Sequence, residues 1–119
     1  MALLHAKEKT GIERAQLASV FAVDRYLVGQ QAAVSALIAS SDSYLHLFAA
    51  AAPPAAEELL RRALRSEIAE AVQAMEKVAL SHEEGHFGID PEAWFTTVSR
   101  KMDLFTDVES AVRASLRAP

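Results

Sequence analysis

Asp90-Pro91-Glu92-Ala93-Trp94-Phe95-Thr96-Thr97-Val98 opens a helix and sets the fold class. Asp90 is a good N-cap. Pro91 suits the first helical position, where its missing N–H is no loss. Glu92 adds negative charge in the first turn. From there Phe95, Val98, Met102, Phe105, Val112 and Leu116 recur at helical spacing. That spacing is close to the heptad seam of helices packed at shallow angles. It predicts a helix over about 91–117. Trp94 reads as a packing anchor at the end of a bundle.

Upstream the same period recurs, and alternating strand patterns do not. A first helix over about 3–28 carries Leu17, Val20, Phe21, Leu27 and Val28, and Gly29 closes it. A second, over about 30–52, carries Val34, Leu37, Ile38, Ser41, Leu45 and Phe48 and stops at Pro53-Pro54. The weak helix formers Ser40-Ser41-Asp42-Ser43 lie inside it, but its stripe passes through them in phase. A third, over about 55–81, carries Leu60, Leu64, Ile68, Val72, Met75 and Ala79, with Gly85 and Gly88 beyond its end. Glu57–Arg61 and Glu58–Arg62 support it at four-residue spacing. Four helices of similar length joined by short breaks predict an all-α, antiparallel up-down-up-down four-helix bundle, one domain over 1–119.

The net charge of -4 argues against a general nucleic-acid binder, and the only basic group, Arg61, Arg62 and Arg65, is interleaved with Glu. With no cysteine, disulfide and thiolate chemistry are excluded. No apolar run reaches the roughly 20 residues of a membrane span. Lys7, Glu8 and Lys9 interrupt any signal peptide. The expectation is a soluble chain without membrane contact, either cytoplasmic or the periplasmic part of a membrane receptor.

His82-Glu83-Glu84-Gly85-His86 spells the H-E-x-x-H pattern of zinc proteases. Its context is wrong. It sits at a helix end with a glycine inside it, and Ile89 stands where the longer motif has glycine. We read it as a loop and assign no metal site. His5 and His46 are isolated. No phosphate-binding glycine loop, nucleophile elbow or paired acid and base is recognisable, so neither catalytic residues nor a cofactor is assigned.

Thr10-Gly11-Ile12-Glu13-Arg14 is the stretch that asks for a function. Continuing the first stripe backwards from Leu17 lands on Thr10, Glu13 and Arg14, which puts two charges on the face that should be apolar. Such charges are costly unless paired. Gly11 costs about 1 kcal/mol in a helix relative to alanine. A capping box between Thr10 and Glu13, or pairing with charges on other helices, also accounts for the pattern. Arg100 and Lys101 are further cations outside any motif.

Two segments, Lys7-Glu8-Lys9-Thr10-Gly11-Ile12-Glu13-Arg14-Ala15 followed by Phe21, and Phe87-Gly88-Ile89-Asp90-Pro91-Glu92-Ala93-Trp94-Phe95 continuing through Met102-Asp103-Leu104 to Val108-Glu109, occur in this order. Together they resemble the nitrate- and nitrite-sensing (NIT) domain of bacterial receptors and regulators, over the second half of that domain. The resemblance implies a helical sensor and no catalysis. In the family two four-helix bundles lie side by side, the ligand is held between helices, and output modules such as chemoreceptors or histidine kinases follow. It implies a small anion, nitrate or nitrite, as partner, with Arg14 as the main ligand contact. Glu13 would orient an arginine, Thr10 donate a hydroxyl and Gly11 give room. Because the first bundle and its matching arginine motif are absent, a second copy of the chain or a missing first bundle would complete the site. The rival reading is a helical dimerisation or linker module that binds no ligand.

Overall fold

The start signal at Asp90 operates as expected. In the computed structural model, which describes residues 1–117, the Asp90 carboxylate accepts from the backbone N–H groups of Glu92 and Ala93 at 3.4 and 3.3 Å. The chain is all-α, with no strand among the described residues. The described residues form five helices, α1 (Ala2–Val23), α2 (Gln30–Ala51), α3 (Pro54–Leu64), α4 (Glu67–Ser81) and α5 (Pro91–Arg117). The extents of 54 × 23 × 18 Å are those of long helices lying side by side. α1 packs on α2 and α5, and α3 and α4 pack on α5, contacts compatible with a helical bundle. His5 stacks on Tyr44 while Thr10 meets Ser41, so α1 and α2 are antiparallel. Lys7 reaches Glu109 and Arg14 reaches Ser99, so α1 and α5 are antiparallel as well.

Five helices replace the expected four because the third breaks at Arg65 and Ser66. Ser66 leaves the helix with extended ψ, its Oγ donates to the carbonyl of Ala63 at 2.6 Å, and it accepts from the N–H of Ala69 at 3.2 Å. A serine cap followed by Glu67 and Glu70 is a local start signal. The stripe from Leu60 to Val72 stays in phase across it, which hid the break. Ser66→Ala removes the cap and is expected to cost about 1 kcal/mol, read as a lower midpoint in urea unfolding.

The first helix also stops early. Asp24 takes the left-handed conformation at φ 64° and its N–H bonds to the Val20 carbonyl. Its carbonyl accepts from His86 N–H at 3.2 Å and its Oδ1 from Phe87 N–H at 2.9 Å. Those partners arrive from the loop between α4 and α5. Leu27 and Val28 therefore lie outside the core, and Gly29, at φ 78°, caps the start of α2 instead of closing α1.

Two apolar clusters fill the interior. One gathers Leu17, Val20, Phe21, Val34, Val72, Phe87, Trp94 and Val98. Trp94 is fully buried, edge-on to Phe21, and is the packing anchor its position suggested. The other gathers Leu3, Ala6, Leu45, Phe48, Leu60, Phe105 and Val108. The buried face of α5 runs through Trp94, Val98, Lys101, Phe105 and Val108, turned slightly from the stripe read in the sequence. Phe95 and Leu116 are exposed as a result, and so is Leu64 on α3.

Candidate ligand site

Between the two apolar clusters lies a polar layer. Its members are Thr10 and Glu13 of α1, Ser41 of α2, Glu76 of α4 and Lys101 of α5, all buried. Each occupies a seam position of its helix, with apolar seam residues on either side. Thr10 Oγ1 donates to the Ala6 carbonyl at 2.9 Å and lies 3.0 Å from Ser41 Oγ, which reaches the same carbonyl. These bonds satisfy both hydroxyls and tie α1 to α2. Thr10 is thus mid-helix, and no capping box forms with Glu13: α1 begins eight residues earlier, at Ala2.

Glu13 is 1% exposed. Burial pushes its pKa up to about 10, reinforced by the hydrogen bond to the Glu76 side chain and the charge of Glu76, opposed by Lys101 and aided by Asp42. Two carboxyl groups bond to one another only when one carries a proton, so Glu13 is a neutral acid near pH 7. Its Oε2 has no donor among the described residues. The Lys101 ammonium lies 5.7 Å from the centroid of the Phe105 ring and attracts the carboxyls of Glu13 and Asp42 without forming an ion pair with either. Asp42, at the margin of the layer, is also shifted upward, mainly by burial.

Arg14 points elsewhere. One residue on from Glu13 the helix turns by about 100°, which carries Arg14 to the edge between α1 and α5. There its Nη1 donates to Ser99 Oγ at 2.9 Å and its guanidinium carbon lies 4.5 Å from the centroid of the Phe95 ring. Ser99 gives its own proton to the Phe95 carbonyl, which leaves its oxygen free to accept. Trp94 Nε1 donates to the Arg14 carbonyl at 3.0 Å and pins the backbone of this turn. Arg14 Nε is buried and has no acceptor among the described residues. Phe95, 44% exposed, leaves one flank of this edge open to solvent.

Gly11 faces α5: a Cβ there would lie 3.4 Å from the Met102 methyl carbon. The glycine lets a methionine approach. The four residues singled out in the sequence thus divide into an interior pair, Thr10 and Glu13, and a lateral pair, Gly11 and Arg14, against α5. Of the partners of the interior pair, Ser41 stood on the α2 stripe and Lys101 stood out only as a cation outside any motif, while Glu76 escaped the sequence reading. Glu76 stands between Val72 and Ala79 at spacings of four and three, and Lys101 stands between Val98 and Phe105 at three and four. Those spacings were the available signal, masked because a charged residue breaks a stripe sought by hydrophobicity.

His82 and His86 hold no common site. His82 caps the end of α4 with Nδ1 2.9 Å from the Val78 carbonyl, and His86 lies exposed beside Asp24. Among the described residues no group of three or more His, Asp or Glu side chains is placed to hold a metal ion. No helix among them is long and apolar enough to cross a membrane.

A family model described as nitrate and nitrite sensing matches residues 1–117. The chain belongs to the NIT family. The family comprises sensor domains of signalling proteins and not catalysts, and nitrate and nitrite are what its members sense. No curated protein and no solved structure is significantly similar to this NIT domain.

Proposed function

We propose that this NIT domain binds nitrate or nitrite at the α1–α5 edge, through the Arg14 guanidinium. The observation that carries the reading is the orphaned Arg14 Nε, a buried donor on a side chain already anchored through Nη1 to Ser99. An unpaired buried donor is costly. A planar oxyanion accepts two parallel bonds from a guanidinium, and such charge-assisted bonds are the strong ones. The Phe95 ring covers one face of the arginine and keeps part of the site dry. Gly11 sits one turn earlier, next to Met102, and Glu13 lies behind Arg14 in the interior, so their roles here are spacing and support. Thr10, bonded to Ala6 and Ser41, holds the helix that carries the arginine.

An anion gripped here would touch α1 and the first turns of α5. A small change in how those two long helices pack is the displacement passed to an output domain. Thermal unfolding in nitrate, in nitrite and in chloride of equal ionic strength tests the reading. The first two are expected to stabilise the domain by about 2.7 kcal/mol at a hundredfold excess over Kd. Arg14→Ala should abolish the gain and Arg14→Lys should keep little of it, since an ammonium lacks the paired donors. Indifference of the folded domain to both anions sinks the proposal and leaves a helical linking or dimerising role.

A further inference from the structure

The polar layer opens sideways into a cleft that the anion site does not use. Where α2, α4 and α5 face one another, Asp42, Gln73, Glu76 and Lys101 line a cavity of about 250 Å³. A second cavity, of about 210 Å³, continues from it between α2 and α3. The two share Leu45, His46 and Leu64; the second adds Ala49 and Leu60, and the paired Glu57 and Arg61 also line it, so its surface is mainly apolar with one ion pair on it. The cleft has one charged end and one greasy end.

Lys101 marks this as more than a surface fold. It is 9% exposed, its ammonium has no carboxylate oxygen within 4.0 Å among the described residues, and it is the lysine lining the charged end, with His46 beside it. The side chain is mostly withdrawn from water while its ammonium reaches the cavity, where a charge gains most from an anionic partner. Opposite it the same cavity presents two carboxylates, Asp42 and Glu76, on different helices. An anion alone would satisfy Lys101 and meet two like charges. A simple amine would satisfy the carboxylates and leave Lys101 bare. A molecule with both signs on adjacent atoms meets both demands.

We propose that this cleft binds a free α-amino acid with an apolar side chain. The carboxylate lies against Lys101 and the Gln73 amide, which donate to it. The ammonium lies between Asp42 and Glu76, which accept from it. The side chain runs along Leu45 and Leu64 towards Leu60 and Ala49. The combined space is large enough for a branched aliphatic side chain. The site is separate from Arg14, which lines neither cavity.

L-leucine is the probe. Calorimetric titration and thermal shift of the whole chain are expected to show saturable binding. 4-Methylpentanoate, which lacks the amine, and 3-methylbutylamine, which lacks the carboxylate, should each bind at least roughly tenfold more weakly. Lys101→Met should lose leucine binding. Because that residue is buried, Ala49→Trp serves as the second variant: it is exposed at the apolar end and should block the side-chain channel without disturbing the core. Arg14→Ala should leave leucine affinity unchanged, which keeps this result apart from that of nitrate. No leucine binding by the folded protein, equal binding of the amine or the carboxylate alone, or full affinity in Ala49→Trp overturns the assignment.

Discussion

Raising the pH from about 5 to about 9 is expected to cost this domain several kcal/mol of stability, at up to about 1.4 kcal/mol per unit. The cause is Glu13. In the folded protein its pKa is raised from 4.5 to about 10, because burial and the neighbouring Glu76 both penalise its charged form. Unfolding frees it to ionise at its ordinary pKa. Above that value the unfolded chain binds fewer protons than the folded one, so stability falls as pH rises. The contribution is complete below about 4.5 and is lost progressively up to about 10. The groups that set this are Glu76 on α4, Lys101 on α5 and Asp42 on α2. Glutamine has the shape of a protonated glutamate and no proton to lose. Glu13→Gln should therefore flatten the urea-unfolding profile over this window and exceed the wild type most at its alkaline end. A wild-type profile already flat from pH 5 to pH 9 would mean that the Glu13 proton is not held.

Gly85→Ala is expected to be the most damaging alanine substitution among the four glycines, with a loss of about 3 kcal/mol or more. Gly85 has φ 92°, a conformation an L side chain rarely adopts. Its Cβ would lie 2.3 Å from the Asp24 carbonyl oxygen and 3.1 Å from Arg25 Cα, both backbone atoms without a rotamer to swing away. Relief requires the α4–α5 loop to withdraw from the end of α1. That breaks the His86 and Phe87 N–H bonds to Asp24 and unseats Phe87 from Phe21 and Tyr26. The measurement is calorimetric melting, with a fall on the order of 10 °C for a domain of this size. Gly88→Ala makes the comparison: its φ is also positive, but nothing lies within 4 Å of the added carbon, so its loss should be clearly smaller.

The pair shows why the loop was readable as a loop and nothing more. Glycine at 85 and 88 signalled a break in helix, as it does anywhere. That Gly85 must approach Asp24 depends on where α1 ends in space, more than 60 residues earlier in the chain. The same gap explains why α1 was read too long. Nothing near Asp24 stops a helix as firmly as the two N–H donors brought to it from positions 86 and 87.

Local rules were enough for the helical class, the Asp90 start, the Pro53-Pro54 stop and the burial of Thr10 and Glu13. Each depends on spacing and backbone chemistry within a few residues. The same short-range order, in the Thr10–Arg14 and Phe87–Phe95 segments, was enough to suggest the family that the match over residues 1–117 shows. Packing between distant helices decided the rest. It put Lys101 and Glu76 inside and set Arg14 against Ser99 and Phe95. A charged residue on a seam is legible as an anomaly. Whether it is paired, protonated or open to a ligand is a property of what the other helices bring within a few ångströms of it.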